Sequence, residues 1–480
     1  MRVLHSIKEI AKDMSIYGVS TLLGQIISFF LLPLYTSYLS PEDYGILSLV
    51  TIFSGGYRIV SNFGISSAIF RFAGMADSKS EKLAYLDTSQ YINVFLNVIF
   101  IGLTVPFSSV LAEFLFDSTG YEDYLLFAIF LGCVGSISSI PLSYLRIQRK
   151  TIFIAYSSLI NLFVTITCTI IGLTIMGWGI WGALIGNVCG NIISLLYLLW
   201  QVNLPKWKLF SVDRVKALMA YALPMLPHKV FGFLLPIVSQ VLLIRYLTLE
   251  DLGIYNISYK FCMPLFIFIK LFQKSYSPYR FEILKEKEHS KSLFVEINLI
   301  YMIIISIGYV FLVFFGDDFI KLLTSFEFHI AGEYLLFMAL IPVSQGLYFM
   351  FGTGVEFSKS PKFLPLISGL GFFITLIGSI FLVPKLGIDG AAIAPVLGWL
   401  AMAFFVFQYA QRIYKIPYAW GKYTWIILLT SILLLLNRFS NHNSFLIDAL
   451  LFLGYLFFLL GAYKEIVYAL KEKIILKIKS

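Results

Sequence analysis

Tyr38-Leu39-Ser40-Pro41-Glu42-Asp43-Tyr44-Gly45-Ile46 recurs in altered form as Tyr246-Leu247-Thr248-Leu249-Glu250-Asp251-Leu252-Gly253-Ile254, 208 residues further on. At the same offset, Gly179-Ile180-Trp181-Gly182-Ala183 recurs as Gly387-Ile388-Asp389-Gly390-Ala391. Two matches sharing one spacing identify a tandem duplication. Both copies of the first motif contain S/T-x-x-D, the signature of a capped helix start, with acidic residues in the first turn. The paired carboxylates are therefore read as helix caps and not as a catalytic pair.

The duplicated unit is apolar. Of 480 residues, 59% are hydrophobic and 13% charged, and the mean hydropathy is +0.85, whereas soluble chains carry roughly 25% charged residues. The 46 Phe and 29 Tyr suit lipid-facing and interfacial positions. Spans of about 20 apolar residues fall near 14–37, 44–70, 88–110, 121–145, 151–174 and 178–201. A second set follows near 217–247, 251–275, 293–316, 332–355, 362–383 and 389–411, and a final pair near 421–437 and 443–463. The expected fold is an all-α polytopic membrane protein of about fourteen transmembrane helices. It divides into an N-terminal six-helix lobe (1–205), a C-terminal six-helix lobe (206–416) and two extra helices with a basic tail (417–480). Because each copy holds an even number of spans, the lobes are parallel repeats about an axis along the membrane normal. The charged start, Met1 to Asp13, precedes an apolar stretch longer than a signal-peptide core, which reads as a retained first span.

The net charge of +9 is distributed by side and not by patch. Arg71, Lys79 and Lys82, then Arg146, Arg149 and Lys150, then Lys206, Lys208, Arg214 and Lys216 collect in alternate connections. The intervening connections carry Glu42 and Asp43, Glu113 and Asp117, Glu250 and Asp251, and Asp317 and Asp318. By the positive-inside rule both termini are expected to be cytoplasmic, and no nucleic-acid partner is expected. Cys133, Cys168, Cys189 and Cys262 lie in apolar runs without C-x-x-C spacing, so no disulfide framework or metal site is expected. The external connections are too short for a separate domain. Function must reside in the bundle.

Ionisable residues at membrane depth are costly, roughly 2.5–3.5 kcal/mol each on insertion scales, and mark functional interiors. Arg58 lies mid-span with Asn62 one turn later, and the repeat-related helix offers Asn256 and Lys260. His228 and Lys229 follow Pro224 and Pro227, and Gln25 and Gln240 add neutral polar groups. An alternative reading has Lys229 and Lys260 snorkelling to the interface, or each cation paired with a carboxylate elsewhere. Glu296 and Glu356 lie near span ends, and no Asp or Glu stands at the middle of a span. A cation-lined interior without mid-span carboxylates suits an anion, and a diphosphate above all.

Leu223-Pro224-Met225-Leu226-Pro227-His228, Gly253-Ile254-Tyr255-Asn256-Ile257-Ser258-Tyr259-Lys260 and Phe272-Gln273-Lys274-Ser275-Tyr276-Ser277-Pro278 together resemble the polysaccharide-transporter family. These are Wzx-type flippases of O-antigen and capsule repeat units, in the superfamily that includes multidrug exporters and the peptidoglycan-precursor flippase. The resemblance implies two lobes that open alternately and carry an undecaprenyl-diphosphate-linked oligosaccharide outward, with no cofactor and no enzymatic step. It implies that Arg58 and Lys260 meet the diphosphate and that partners include membrane lipids and the polysaccharide polymerase machinery; the polar residues Asn62, His228, Lys229 and Asn256 are read as further substrate-binding candidates, with Gln25, Gln240 and Arg245 as candidate lining of the polar cavity. Many relatives carry an Asp-Arg pair where this chain has Gln240-Val241, so a salt bridge there is not carried over. The alternatives are a multidrug exporter, a peptidoglycan-precursor flippase, and a membrane glycosyltransferase or polymerase. The last leaves the duplication unexplained.

Overall fold

The computed structural model describes Phe29 and residues 31–462, apart from 77, 117, 149, 203–208, 286–289, 358–362 and 440–444. Among the described residues the chain is helical and contains no strand. The elements are α1 (Leu32–Tyr38), α2 (Pro41–Asn62), α3 (Ile65–Met75), α4 (Lys79–Thr104), α5 (Ser108–Phe116), α6 (Glu122–Ile147), α7 (Thr151–Ile170), α8 (Ile180–Gln201) and α9 (Val212–Tyr246). They continue with α10 (Leu249–Phe261), α11 (Met263–Lys285), α12 (Ser290–Leu323), α13 (Leu335–Met338), α14 (Leu340–Phe351), α15 (Leu364–Ile413), α16 (Trp420–Phe439) and α17 (Phe445–Ala462).

Among the described residues, eight helices are long and apolar enough to cross a membrane, or up to eleven if each bent pair is one span. The expected fourteen are not all present among the described residues, because most of the first expected span, 14–37, lies outside them, leaving Phe29 and residues 31–37. The spans expected at 362–383 and 389–411 share α15, which is interrupted at Gly387 (φ 58°, ψ −129°). Phe163 (62% exposed) and Trp200 (72%) point away from the protein. Side chains of this size at this exposure belong in lipid, and the chain is a multi-pass membrane protein.

The duplication persists in backbone detail. Ser40 accepts a hydrogen bond from the Asp43 N–H (3.1 Å), and Asp43 Oδ2 accepts from the Ser40 N–H (3.2 Å). Thr248 and Asp251 make the same reciprocal pair at 3.1 Å each. Both acidic motifs are therefore capping boxes, as their spacing predicts. Gly179 (φ 54°, ψ −136°) shares its left-handed conformation with Gly387 208 residues later, a region closed to most L side chains.

Contacts divide the chain into two compact units, 1–256 with 383–388, and 257–382 with 389–480. In the first unit the two copies of the capping motif meet. A Cβ placed on Gly45 would overlap the Leu249 carbonyl, and one on Gly253 would overlap the Pro41 carbonyl. Leu249 and Pro41 are repeat-related first residues of α10 and α2, so the contact is reciprocal. Tyr121 donates to Glu42 at this acidic end (3.0 Å), and Tyr124 stacks on Trp181 (4.8 Å). At the other end Arg71 lies over Tyr221 (4.7 Å) and Arg214 over Tyr85 (5.8 Å), above a core that includes Ile65, Ile69, Leu86, Ile140 and Tyr144. The charge alternation read from the connections thus appears as two ends of one bundle.

Small residues also seat α8 on α7, where Gly186 and Gly190 touch Thr169 and Thr165. In the second unit, Gly398 of α15, the 208-residue counterpart of Gly190, lies against Thr375 and Gly371. There α16 and α17 are joined by hydrogen bonds between Thr430 and Tyr455 (2.8 Å) and from Asn437 to Asp448 (2.5 Å). They pack on α12 through Phe311, Phe315 and Phe452.

The copies differ at their breaks. The α2–α3 pair bends by 48° and the α10–α11 pair by 47°. The first break is built from two left-handed residues, Phe63 (φ 50°) and Gly64 (φ 77°). The position 208 residues after Gly64 is Phe272, which does not supply that freedom. The second break instead falls at Cys262, just before Pro264, whose missing N–H is tolerated only in a first turn.

The reciprocal glycine contact predicts that Gly45→Val and Gly253→Val each cost about 1–3 kcal/mol, the usual range for overpacking. Because both relieve or strain one contact, their effects on the melting temperature of the detergent-solubilised protein should not add. Additive losses would show that the two glycines are independent.

Candidate functional site

A cavity of about 370 Å³ opens within the first unit, lined by Gly55, Arg58, Ile59, Asn62, Ser66, Ser139, Lys229 and Phe233. Four elements build it: the last turns of α2, the start of α3, the middle of α6, and α9 above its prolines. The break after Asn62 turns α3 away, with Ser61 and Asn62 buried at the corner and Arg58, one turn earlier, exposed.

Asn62 holds this corner with both halves of its amide. Oδ1 accepts from the Ser66 N–H (3.1 Å), and Nδ2 donates to Ser139 Oγ (2.8 Å). The polar contacts continue inward, since Ser139 donates to the Ser136 carbonyl (2.6 Å) and Ser136 Oγ accepts from Asn93 (3.3 Å) and Asn97 (3.1 Å). Asn62 therefore shapes the site, with its own hydrogen-bonding groups engaged by protein.

Arg58 is exposed, its stem passing Gly135 of α6, where a Cβ would come within 3.1 Å of Arg58 Cδ. Lys229 is half-buried and donates from Nζ to Ser67 Oγ (2.7 Å). One turn along α9, the Phe233 ring rests on the tandem glycines of α2: a Cβ on Gly56 would stand 2.7 Å from Phe233 Cε1, and one on Gly55 3.2 Å from Cε2. The lining thus holds two cations, three neutral polar side chains and an aromatic wall, and no carboxylate. Among the described residues the charge of this lining is positive, which favours an anion over a cation electrostatically.

The sequence-predicted residues separate in the structure. Arg58, Asn62 and Lys229 come together. His228 belongs to α9, but its side chain lies outside the described residues, as does the whole of Gln25. Asn256 donates to the Leu252 carbonyl of its own helix (2.9 Å), and Lys260 is half-buried one turn later, in the second unit. Gln240 is buried in α9, and Arg245 lies at the acidic end over Phe114 (5.5 Å). Neither lines the cavity.

Sequence reasoning missed Ser66, Ser67, Ser139 and Phe233. The run Gly135-Ser136-Ile137-Ser138-Ser139 carried a signal for Ser139; nothing in the local sequence marked Phe233. It also placed Asp87 just outside a span that the structure extends back to Lys79, and there Asp87 is buried at 3% exposure. Asp448 is buried near the start of α17. Both lie toward helix ends.

No metal-ligating cluster of three or more His, Cys, Asp or Glu occurs among the described residues. Residues 36–333 match the family described as polysaccharide biosynthesis protein. An Lsg locus protein of Haemophilus influenzae is 23% identical over 291 residues, 58% of this chain and 68% of that protein. Among solved structures, the lipid II flippase MurJ in an inward closed conformation superposes with a TM-score of 0.75 at 17% identity, covering 94% of this chain and 99% of MurJ. An inward-facing multidrug resistance MATE transporter of the MOP superfamily gives 0.66 at 14% identity, covering 83% and 98%. These likenesses show the fold, while the sequence match over more than half of the chain shows the family. The chain belongs to the polysaccharide biosynthesis protein family.

Proposed function

We propose that this protein is a flippase for an anionic lipid-linked sugar. In this reading it carries an undecaprenyl-diphosphate-linked repeat unit from the cytoplasmic to the outer leaflet of a bacterial inner membrane, by alternating access of lobes 1–205 and 206–416. Both termini are cytoplasmic, and the product feeds O-antigen, capsule or exopolysaccharide synthesis. The observation that carries the reading is the pairing of Arg58 with Lys229 in a cavity whose lining has no carboxylate.

The chemistry follows from charge and solvation. A diphosphate presents several strong acceptor oxygens, and Arg58 can engage them as a planar fork while Lys229 acts as a mobile point charge. In a low-dielectric bundle each such contact is stronger than in water. The prenyl tail needs no site of its own, because the bilayer is its solvent. Lys260, on the repeat-related helix, is proposed as a further substrate-binding residue. Family membership supports a polysaccharide cargo, and the fold shared with a lipid II flippase supports a lipid-linked one.

The MATE likeness favours a second reading, drug export. A cationic drug is poorly served by a lining with two cations, so the polysaccharide reading is preferred.

The test replaces the chromosomal gene with Arg58→Ala, Lys229→Ala and Lys229→Arg alleles. Both alanine variants should reach wild-type levels in the membrane yet reduce surface polysaccharide at least tenfold, with lipid-linked units accumulating on the cytoplasmic side. Lys229→Arg should retain most export. Normal surface polysaccharide in both alanine variants would refute the site, and unchanged polysaccharide with altered drug sensitivity in the deletion strain would favour the exporter.

Binding should also be salt-sensitive. Affinity of the purified protein for farnesyl diphosphate should fall several-fold between about 0.05 and 0.5 M ionic strength, as the Debye length shortens, whereas a salt-independent affinity would show that the cations are not in contact with the ligand.

A further inference from the structure

The helix α9 is held to its neighbours in two different ways on either side of Pro224 and Pro227. Below the prolines, Leu218 and Ala222 are fully buried against Ala68 of α3, and Gly64 lies close to the Ala222 carbonyl. This is close apolar packing, and Arg71 over Tyr221 reinforces it. At the prolines the helix bends by 42°, as expected where backbone hydrogen bonds are lost. Above them, two side chains four residues apart reach the broken helix. Lys229 donates to Ser67 Oγ of α3, and the Phe233 ring sits on Gly55 and Gly56 of α2. Lys229 and Phe233 both line the cavity, as does Arg58.

The two attachments differ chemically. The aromatic seat depends on shape, and an anion in the cavity leaves it unaffected. The clasp between Lys229 and Ser67 joins a full charge to a neutral hydroxyl, which is a modest acceptor beside a phosphate oxygen. An ammonium has three protons to donate, but its position at Ser67 commits the flexible stem to α3.

We propose that Ser67 is a positioning residue whose hydroxyl holds Lys229, and with it the turn of α9 above the prolines, against α3 until an anionic head group takes the ammonium over. Binding then removes this attachment and lets the turn of α9 just above Pro224 and Pro227 move away from α3, while the lower half and the buried stretch from Leu235 to Ile244 stay packed. The proposal rests on the anion reading given above, and it turns the arrival of cargo into a mechanical signal. The ligand shifts the conformational equilibrium by the differential affinity that this exchange supplies.

The test uses the full-length protein in lipid nanodiscs with its four cysteines replaced by serine. Spin labels are placed at Phe70→Cys on α3 and Gly232→Cys on upper α9, positions that are exposed and, at Gly232, open to an added side chain. The label-to-label distance of the parent should shift when farnesyl diphosphate is added and stay unchanged with farnesol. Ser67→Ala should show the shifted distance without ligand and bind farnesyl diphosphate about tenfold more tightly, since no clasp competes. Ser67→Thr, which keeps the hydroxyl, should behave as the parent.

If the parent binds farnesyl diphosphate but neither ligand nor Ser67→Ala changes the distance, the clasp proposal is overturned while the anion site stands. If neither protein binds it, the anion reading itself fails.

Discussion

The contact between the two copies of the capping motif constrains everything built on the first unit. At Gly45 and Gly253 the backbones of α2 and α10 touch with no side chain between them. Membrane helices gain little from hydrophobic attraction to one another, because lipid is as apolar as their surfaces, so close approach through small residues has to supply cohesion. A capping box on each copy satisfies the first backbone donors at the very place where the helices meet. The repeated sequence thus solves two problems at once: it starts each helix without unsatisfied donors, and it keeps the start thin enough to pack.

From that contact α2 runs to its break, and the position of the break decides the chemistry. Phe63 and Gly64 are both left-handed, a conformation costly for an aromatic residue and persistent only where surroundings over-determine it. Here Asn62 does so, bonded on one side to the start of α3 and on the other to α6. The turn leaves Arg58 exposed beside a cavity into which Lys229 and Phe233 of α9 also reach. Charge at membrane depth is tolerated because it faces this space and not lipid. The polar seam through Ser139, Ser136, Asn93 and Asn97 gives the corner a hydrogen-bonded backing, so that the site is held by a network and not by one pair.

Symmetry between the copies is local and incomplete. Caps, glycine contacts and left-handed turns recur at one offset, but the breaks do not, because Gly64 has Phe272 at its repeat-related position. The second copy bends at Cys262 instead, two residues after Lys260. Arg58 and Lys260 therefore occupy different places relative to their breaks, and equivalence along the sequence does not carry over into equivalent surroundings.

Hydropathy, the 208-residue offset, the capping boxes and the segregation of charge were all legible in the sequence, because each depends on residues near in the chain or on a simple period. They determine an all-helical membrane bundle with a duplicated plan and cations in its interior. That Lys229 shares the cavity of Arg58, that Asn62 is a structural pin, and that Ser67, Ser139 and Phe233 complete the site were decided only by tertiary structure. Those outcomes depend on two bends, at Phe63–Gly64 and at Pro224–Pro227, whose angles set which faces of α2, α3, α6 and α9 converge. No periodicity records such an angle, since it arises from packing between segments up to 160 residues or so apart, as in the bond from Lys229 to Ser67.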